Sequence, residues 1–125
     1  MWCSLGNKYT KYVGNTFNKA VLRTLKKIKE PIDVIYGHFW AQAIAAMPYA
    51  VEKKIPLFAV AGEGELDTYK KMTQEAIAEV RNCVRGCICV ASKSKNESIR
   101  AGFATEDMCT VIPNAINPDL FYCRD

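Results

Sequence analysis

The chain has 125 residues, of which 50% are hydrophobic and 24% are charged, the composition of an ordinary globular domain. This length allows one domain and excludes two complete Rossmann domains. The sequence has no run of about 18 apolar residues and no basic N-terminal region followed by an apolar core. It therefore predicts neither a membrane span nor a secretory signal, and we expect a cytoplasmic protein.

The six cysteines are interpreted as reduced residues. Cys87, Cys89 and Cys109 lie in apolar, strand-like runs, where a free thiol behaves as a small hydrophobic side chain. The spacing of Cys83, Cys87 and Cys89 does not match the paired C-x-x-C pattern of zinc sites, and the single histidine, His38, is far away in sequence. We therefore predict no metal site.

The net charge of +4 is concentrated in the first quarter of the chain. Its basic residues there are Lys8, Lys11, Lys19, Arg23, Lys26, Lys27 and Lys29. A solvated helix face explains this pattern, and attraction to anionic lipid headgroups or to a phosphate-bearing acceptor is the functional alternative. The aromatic residues in the same region do not form a module that reads nucleic acid, so we expect no nucleic-acid partner.

The predicted elements alternate between helices and strands. The first helix covers residues 13–29, because Phe17, Val21, Leu25 and Ile28 recur three or four residues apart. After it come a strand over 32–37, a helix over 41–54, a strand over 56–61, a helix over 67–82, a strand over 87–91, a helix over 93–101 with Ser92 as N-cap and Gly102 as C-cap, and a strand over 108–112. This alternation, without a hairpin signal, predicts an α/β fold in which a four-stranded parallel sheet has helices on both faces.

Four segments carry motifs that follow one another at natural spacing. They are DVIYGHFW from Asp33, KKIPLFAVAGEGEL from Lys53, CICVASKSKNESIRAGF from Cys87 and VIPNAINPDLF from Val111. Together they resemble the second half of the N-terminal Rossmann-like domain of family 4 glycosyltransferases, which are retaining enzymes of the GT-B fold.

The resemblance implies that residues 1–125 are part of an acceptor-side N-terminal domain, and that the C-terminal domain that holds the nucleotide sugar is absent. It implies a fragment of a metal-independent enzyme that transfers a sugar from a nucleotide-sugar donor to a hydroxyl of a glycan or lipid-linked acceptor. The fragment would be inactive alone and would need no cofactor of its own. Membrane contact would be peripheral, at the inner face.

Candidate acceptor-binding residues lie where ligands bind in open parallel sheets, beyond the carboxyl ends of the strands. His38 could orient a hydroxyl or exchange a proton, and Trp40 could stack on a sugar. The structural alternatives are a histidine that caps the next helix and a tryptophan that packs in the core.

The loop Gly62, Glu63, Gly64 and Glu65 is the other candidate, since Gly62 stands where the family commonly has histidine. Its carboxylates could contact acceptor hydroxyls, or could simply favour a helix N-terminus. Asn114 lies in the exit turn near the expected cleft. The sequence identifies no catalytic residue.

Two other function classes stay open at this point. One is a small flavodoxin-like binding or signalling module, and the other is a structural partner protein. If the earlier strands of the sheet are missing, the strand over 32–37 is an unpaired edge, which is a template for pairing with another chain. We therefore predict a symmetric homodimer, or larger association, through that edge or the adjoining first helix.

Overall fold

The computed structural model describes residues 15–117. Lys8 and Lys11, the first two residues of the predicted first helix, and the last part of the VIPNAINPDLF motif lie outside this range. The helices are α1 (Asn15–Leu25), α2 (Trp40–Lys53), α3 (Gln74–Cys83) and α4 (Ser92–Arg100). The strands are β1 (Ile35–His38), β2 (Leu57–Ala61), β3 (Val84–Cys89) and β4 (Cys109–Val111), and short 3-10 turns occur at Thr68–Lys71 and Glu106–Met108.

The four strands form one sheet in the order β1-β2-β3-β4, and every neighbouring pair is parallel. Ile35 is in register with Leu57, and Ala59 with Cys87. This arrangement confirms the predicted α/β fold with a four-stranded parallel sheet, and it has the form of half a Rossmann-like domain. Each strand lies beside its predecessor in sequence, so each connection is a crossover that contains a helix.

The described helices lie on one face of the sheet. Gly37 of β1 packs against Ala43 of α2, since a Cβ added to Gly37 would be 2.5 Å from the Ala43 Cα. Cys87, on the same face of the sheet by register, contacts Ser98 of α4, and α3 packs beside α2. The prediction placed helices on both faces. Strands in sequential order with crossovers of one hand instead return each helix to the same side.

The boundaries differ from the predicted ones at helix ends. The first helix stops at Leu25, and its last turn tightens as the Lys27 amide donates to the Thr24 carbonyl at 3.0 Å. The third helix starts only after Thr73, whose hydroxyl accepts from the Ala76 amide at 3.2 Å, and a 3-10 turn replaces its predicted beginning. β3 then follows α3 directly, beginning at Val84 rather than at residue 87.

At both ends of α4 the cap lies one residue before the predicted one, and the C-cap is Ala101 rather than Gly102. Ala91, not Ser92, is the N-cap, and the hydroxyl of Ser94 accepts from the Ala91 amide at 3.1 Å. Gly102 follows the helix with φ of 79°, the left-handed conformation that glycine adopts without a steric penalty. The Phe103 amide donates to the Ser98 carbonyl at 3.1 Å and the Gly102 amide to Ile99 at 2.9 Å, which together form a Schellman motif.

The core lies between the sheet and this helix layer. Its largest fully buried side chains are Trp40, Phe103, Ile44, Met47, Leu57 and Val80. The Trp40 and Phe103 rings are 5.0 Å apart between centroids, within the range at which tilted aromatic pairs attract one another. Among the described residues, no helix is long and apolar enough to cross a bilayer.

Candidate functional site

The carboxyl ends of the four strands lie side by side at one edge of the sheet. His38 is in register with Val60, and Cys89 is in register with both Ala61 and Val111. The segments that follow these strands therefore share one end of the molecule, as expected for parallel strands. They include the predicted candidates His38, Gly62–Glu65 and Asn114.

The junction between β1 and α2 has an unusual backbone. Phe39 has φ of 73° and ψ of 153°, a conformation that is almost exclusive to glycine and that costs a side-chain-bearing residue about 1–3 kcal/mol. The Phe39 amide continues the sheet by donating to the Val60 carbonyl at 2.9 Å. The chain therefore turns sharply from strand to helix within one residue.

Glu63 holds this junction together from the neighbouring loop. Its Oε1 accepts from the Trp40 amide at 2.5 Å, and its Oε2 accepts from the Gly62 amide at 3.0 Å. Because Trp40 is the first residue of α2, the carboxylate satisfies a free amide at the positive end of the helix. Of the two roles considered for the loop carboxylates, Glu63 therefore has the structural one, because it caps the N-terminus of α2. Gly62 donates its backbone amide to the same carboxylate.

Trp40 is not available to stack on a sugar. It has no exposed surface, and its indole N–H donates to the Ser98 hydroxyl at 2.9 Å. The proposed acceptor contact is therefore corrected to a packing role, because the ring joins α2 to α4 inside the core. A buried tryptophan needs a partner for its N–H, and Ser98 supplies it.

His38 remains accessible at the end of β1. His38 is exposed. The centroids of its imidazole and of the Phe39 ring are 4.4 Å apart, and the two ring planes are tilted by 54°. An exposed imidazole at this position can donate a hydrogen bond to a ligand hydroxyl or accept one from it. Of the two aromatic candidates, the structure leaves only His38 accessible.

Gly64 and Glu65 border a surface groove that the sequence analysis missed. The groove has a volume of about 330 Å³ and is lined by Glu65, Leu66, Asp67, Tyr69, Lys70, Lys93, Glu97 and Arg100. The Lys93 ammonium closes one side by donating to the Gly64 carbonyl at 2.6 Å. The sequence of α4 does indicate this charged surface, since Lys93, Glu97 and Arg100 recur at the i, i+4, i+7 spacing of one helix face.

Charges of both signs line the groove and partly pair with each other. The Lys93 ammonium is 3.4 Å from the Glu97 carboxylate, and the Lys70 ammonium is 2.5 Å from the Asp67 carboxylate. The hydrogen bond from Lys70 to Asp67 raises the pKa of Lys70, so this cation stays charged at neutral pH. Such a surface offers both donors and acceptors to a hydroxyl-rich ligand.

Asn114 is exposed in the extended segment after β4. The Ile112 amide still donates to the Cys89 carbonyl at 2.8 Å, so the chain leaves the sheet just before Pro113. Asn114 does not line the groove formed by Glu65 and its neighbours. Asn114 therefore lies at the same edge of the sheet as the other candidates but outside the groove.

A cluster of three thiols lies in the core, next to the carboxyl ends of β3 and β4. The sulfur atoms of Cys87, Cys89 and Cys109 all lie within 4.8 Å of one another. Burial raises the pKa of the Cys109 thiol to about 11 and raises that of Cys87 as well, so both are protonated near neutral pH. Only the pairing of β3 with β4 brings Cys109 to Cys87, so the spacing of cysteines along the sequence does not reveal this cluster.

No protein-family model matches this sequence, and a search of curated proteins finds no match.

Proposed function

We propose that the chain is the acceptor-side part of a GT-B N-terminal domain, from a retaining glycosyltransferase similar to family 4. The observation that carries the proposal is the order of the four motif segments. Each segment contains the carboxyl end of one strand, and the strands lie side by side in the order of the motifs. A ligand at that edge would contact all the strand-end loops together.

The strand order also bears on the flavodoxin-like alternative. Flavodoxin-like sheets have the order 2-1-3-4-5, with the ligand at the point where the order reverses. The described sheet runs β1-β2-β3-β4 without a reversal. In a longer sheet the reversal would fall beside β1, which would make His38 the described strand-end residue nearest to the ligand.

In this proposal the acceptor lies across His38 and the groove beside Glu65. The carboxylate of Glu65 accepts hydrogen bonds from acceptor hydroxyls, and the ammonium of Lys93 donates to hydroxyl or phosphate oxygens. Glu63 acts indirectly, since its two bonds to backbone amides fix the β1–α2 junction that presents His38.

In this proposal the donor chemistry belongs to a second domain of the enzyme, distinct from the acceptor-side domain. That second domain would bind the nucleotide sugar and supply most of the stabilisation of the transition state. The fragment alone would therefore be inactive. We place the whole enzyme in the cytoplasm at the inner face of the membrane, where Lys19, Arg23, Lys26 and Lys27 of the first quarter would attract anionic headgroups or a lipid-linked acceptor.

The test is a nuclear magnetic resonance titration of the chain with octyl β-D-glucopyranoside below its micelle concentration. We expect chemical-shift changes at His38, Glu65 and Lys93, with millimolar affinity. Replacing Glu65 with Gln and Lys93 with Met should abolish them. Glu52→Gln, a matched change at an exposed carboxylate on α2, should leave them unchanged.

Two further titrations separate the alternatives. Calorimetry with uridine diphosphate glucose and guanosine diphosphate mannose should detect no binding, and tight binding of either would contradict the half-domain assignment. Flavin mononucleotide should likewise fail to bind, because binding would favour the flavodoxin-like module. Absence of any glucoside response at the groove would argue against the acceptor site itself.

A further inference from the structure

Three thiols from two adjacent strands converge on one side of the sheet. Cys87 and Cys89 are two residues apart on β3, so their side chains point to the same face. Cys109 of β4 is the register partner of Cys87. The sulfur atoms of Cys87 and Cys89 are 3.7 Å apart, and all three sulfurs lie within 4.8 Å of one another.

These distances suit a metal ion at the centre of the triangle. Metal–thiolate bonds of about 2.3 Å in a planar, three-coordinate arrangement separate the sulfurs by about 4 Å. The Cys87 and Cys89 sulfurs are 3.7 Å apart and no pair of the three is more than 4.8 Å apart, so the triangle is close to that size. An ion can therefore bind with small side-chain shifts and without a change in strand pairing.

We propose that Cys87, Cys89 and Cys109 bind one Cu(I) ion in trigonal coordination. The cluster contains three soft sulfur donors and no imidazole or carboxylate, a donor set that favours Cu(I). Structural zinc requires a fourth ligand. The nearby Ser98 hydroxyl is already occupied, since it accepts from the Trp40 indole and donates to the Ser94 carbonyl.

The binding step involves no electron transfer. Copper stays in the +1 state, and each thiol that becomes a ligand forms one copper–sulfur bond and releases its proton to solvent. Burial disfavours the thiolate form of Cys109, and the positive charge of Lys95 offsets a part of that penalty.

The ion has a route from one side. Cys109 keeps 8% of its surface exposed, whereas Cys87 keeps 2% and Cys89 none. β4 is a short strand at the edge of the described sheet, where opening requires less disruption than at a central strand. Entry is therefore expected past Cys109, with Cys89 the last ligand to bind.

The test uses the full chain with Cys3, Cys83 and Cys123 all replaced by serine, which leaves only the three thiols of the cluster. Anaerobic titration with Cu(I) in competition with bicinchoninate should show one ion retained per chain. X-ray absorption should show three sulfur neighbours at about 2.3 Å. Loss of even a supporting partner commonly weakens metal affinity about tenfold or more, so adding Cys109→Ser should weaken retention at least as much.

A second measurement needs no substitution in the core. Wild-type chain loaded with Cu(I) is treated with N-ethylmaleimide in mild guanidinium, and the labelled cysteines are identified by mass spectrometry. Cys87, Cys89 and Cys109 should be protected relative to the metal-free chain. Cys83, which is half-buried at the end of α3 and outside the cluster, should be labelled equally in both samples.

Several outcomes would overturn the assignment. They are failure to retain Cu(I), retention that Cys109→Ser leaves unchanged, a coordination number other than three sulfurs, and equal labelling of all cysteines with and without copper. Tighter binding of Zn(II) than of Cu(I) would also reject it. Circular dichroism of each variant shows whether a lost site reflects a lost fold, and in that case the labelling of wild-type chain decides.

Discussion

The two faces of the sheet differ in how completely they are covered, and adjacent residues of β1 show the difference. Gly37 is buried and its Cα lies so close to α2 that no side chain fits. Tyr36, one residue earlier on the opposite face, keeps 54% of its surface exposed. On one face of β1 the packed helix limits the size of the side chain that fits. On the other face the side chain extends into solvent and its size is not limited by packing. Substitutions in β1 should therefore have large effects on the helix-covered face and small effects on the open face.

The largest effect is expected for Gly37→Ala. The added Cβ would lie 2.5 Å from the Ala43 Cα and 2.6 Å from its backbone nitrogen, so α2 must move away from β1. Overpacking typically costs about 1–3 kcal/mol, and the upper end is expected here because the opposing atoms include the backbone of α2. Urea denaturation monitored by tryptophan fluorescence measures the loss.

The matched control for this change is Gly64→Ala. Nothing lies within 4 Å of a Cβ built on Gly64, so its free energy of unfolding should change by less than about 0.5 kcal/mol. Equal losses for the two alanine variants would show that the contact between β1 and α2 is not the constraint described.

The next effect concerns the Trp40–Ser98 hydrogen bond on the same face. Ser98→Ala leaves the buried indole N–H without its acceptor, which should cost about 1–3 kcal/mol. Trp40→Phe removes the donor and some packing at the same time. The double variant should lose less than the sum of the two single losses, since the two groups interact directly.

This double-mutant cycle is evaluated by urea unfolding of all four proteins. A coupling free energy near zero would mean that the bond makes no net contribution in solution, despite the distance of 2.9 Å between Nε1 and Oγ.

A smaller effect is expected at the strand-end loop. Glu63→Gln removes the charge at the start of α2 and weakens two charge-assisted hydrogen bonds to amides, which should cost about 1 kcal/mol. Glu65→Gln, two residues later and exposed, should change stability by less than about 0.5 kcal/mol. Thermal unfolding by circular dichroism compares the pair, and a larger loss for Glu65→Gln would reverse the two assigned roles.

The smallest effect on stability is expected on the open face, where association is the more sensitive readout. β1 is the edge strand of the described sheet, and Val34 and Tyr36 are exposed there. The predicted dimer through this edge should therefore be weakened by Tyr36→Lys with little loss of stability. Ile35, the middle of the predicted strand, is a poor choice for this test because it is buried in the core.

Sedimentation measures the association. Lys71→Glu, at an exposed position in the Thr68–Lys71 turn, is the control and should leave the association constant unchanged. A monomer at high protein concentration would contradict the predicted self-association.

Much of the candidate site could be anticipated, and the errors share one cause. The position of His38 and of the Gly62–Glu65 loop at strand ends followed from local patterns. The roles of Trp40 and Glu63 did not, because each depends on a partner far along the chain. Trp40 meets Ser98, and Glu63 meets the Trp40 amide. An aromatic residue or carboxylate at a loop has the same local pattern whether it faces solvent or a distant partner.

The sequence by itself determined the alternation of helices and strands, the parallel sheet and the glycine turn after α4, because periodicity, crossover length and left-handed φ are local properties. The tertiary structure alone decided which sheet face the helices cover, which candidates remain accessible and which cysteines meet. Cys87 and Cys109 are neighbours only because β3 pairs with β4 in one register. Shifting that register by one residue would turn one of the two thiols to the opposite face.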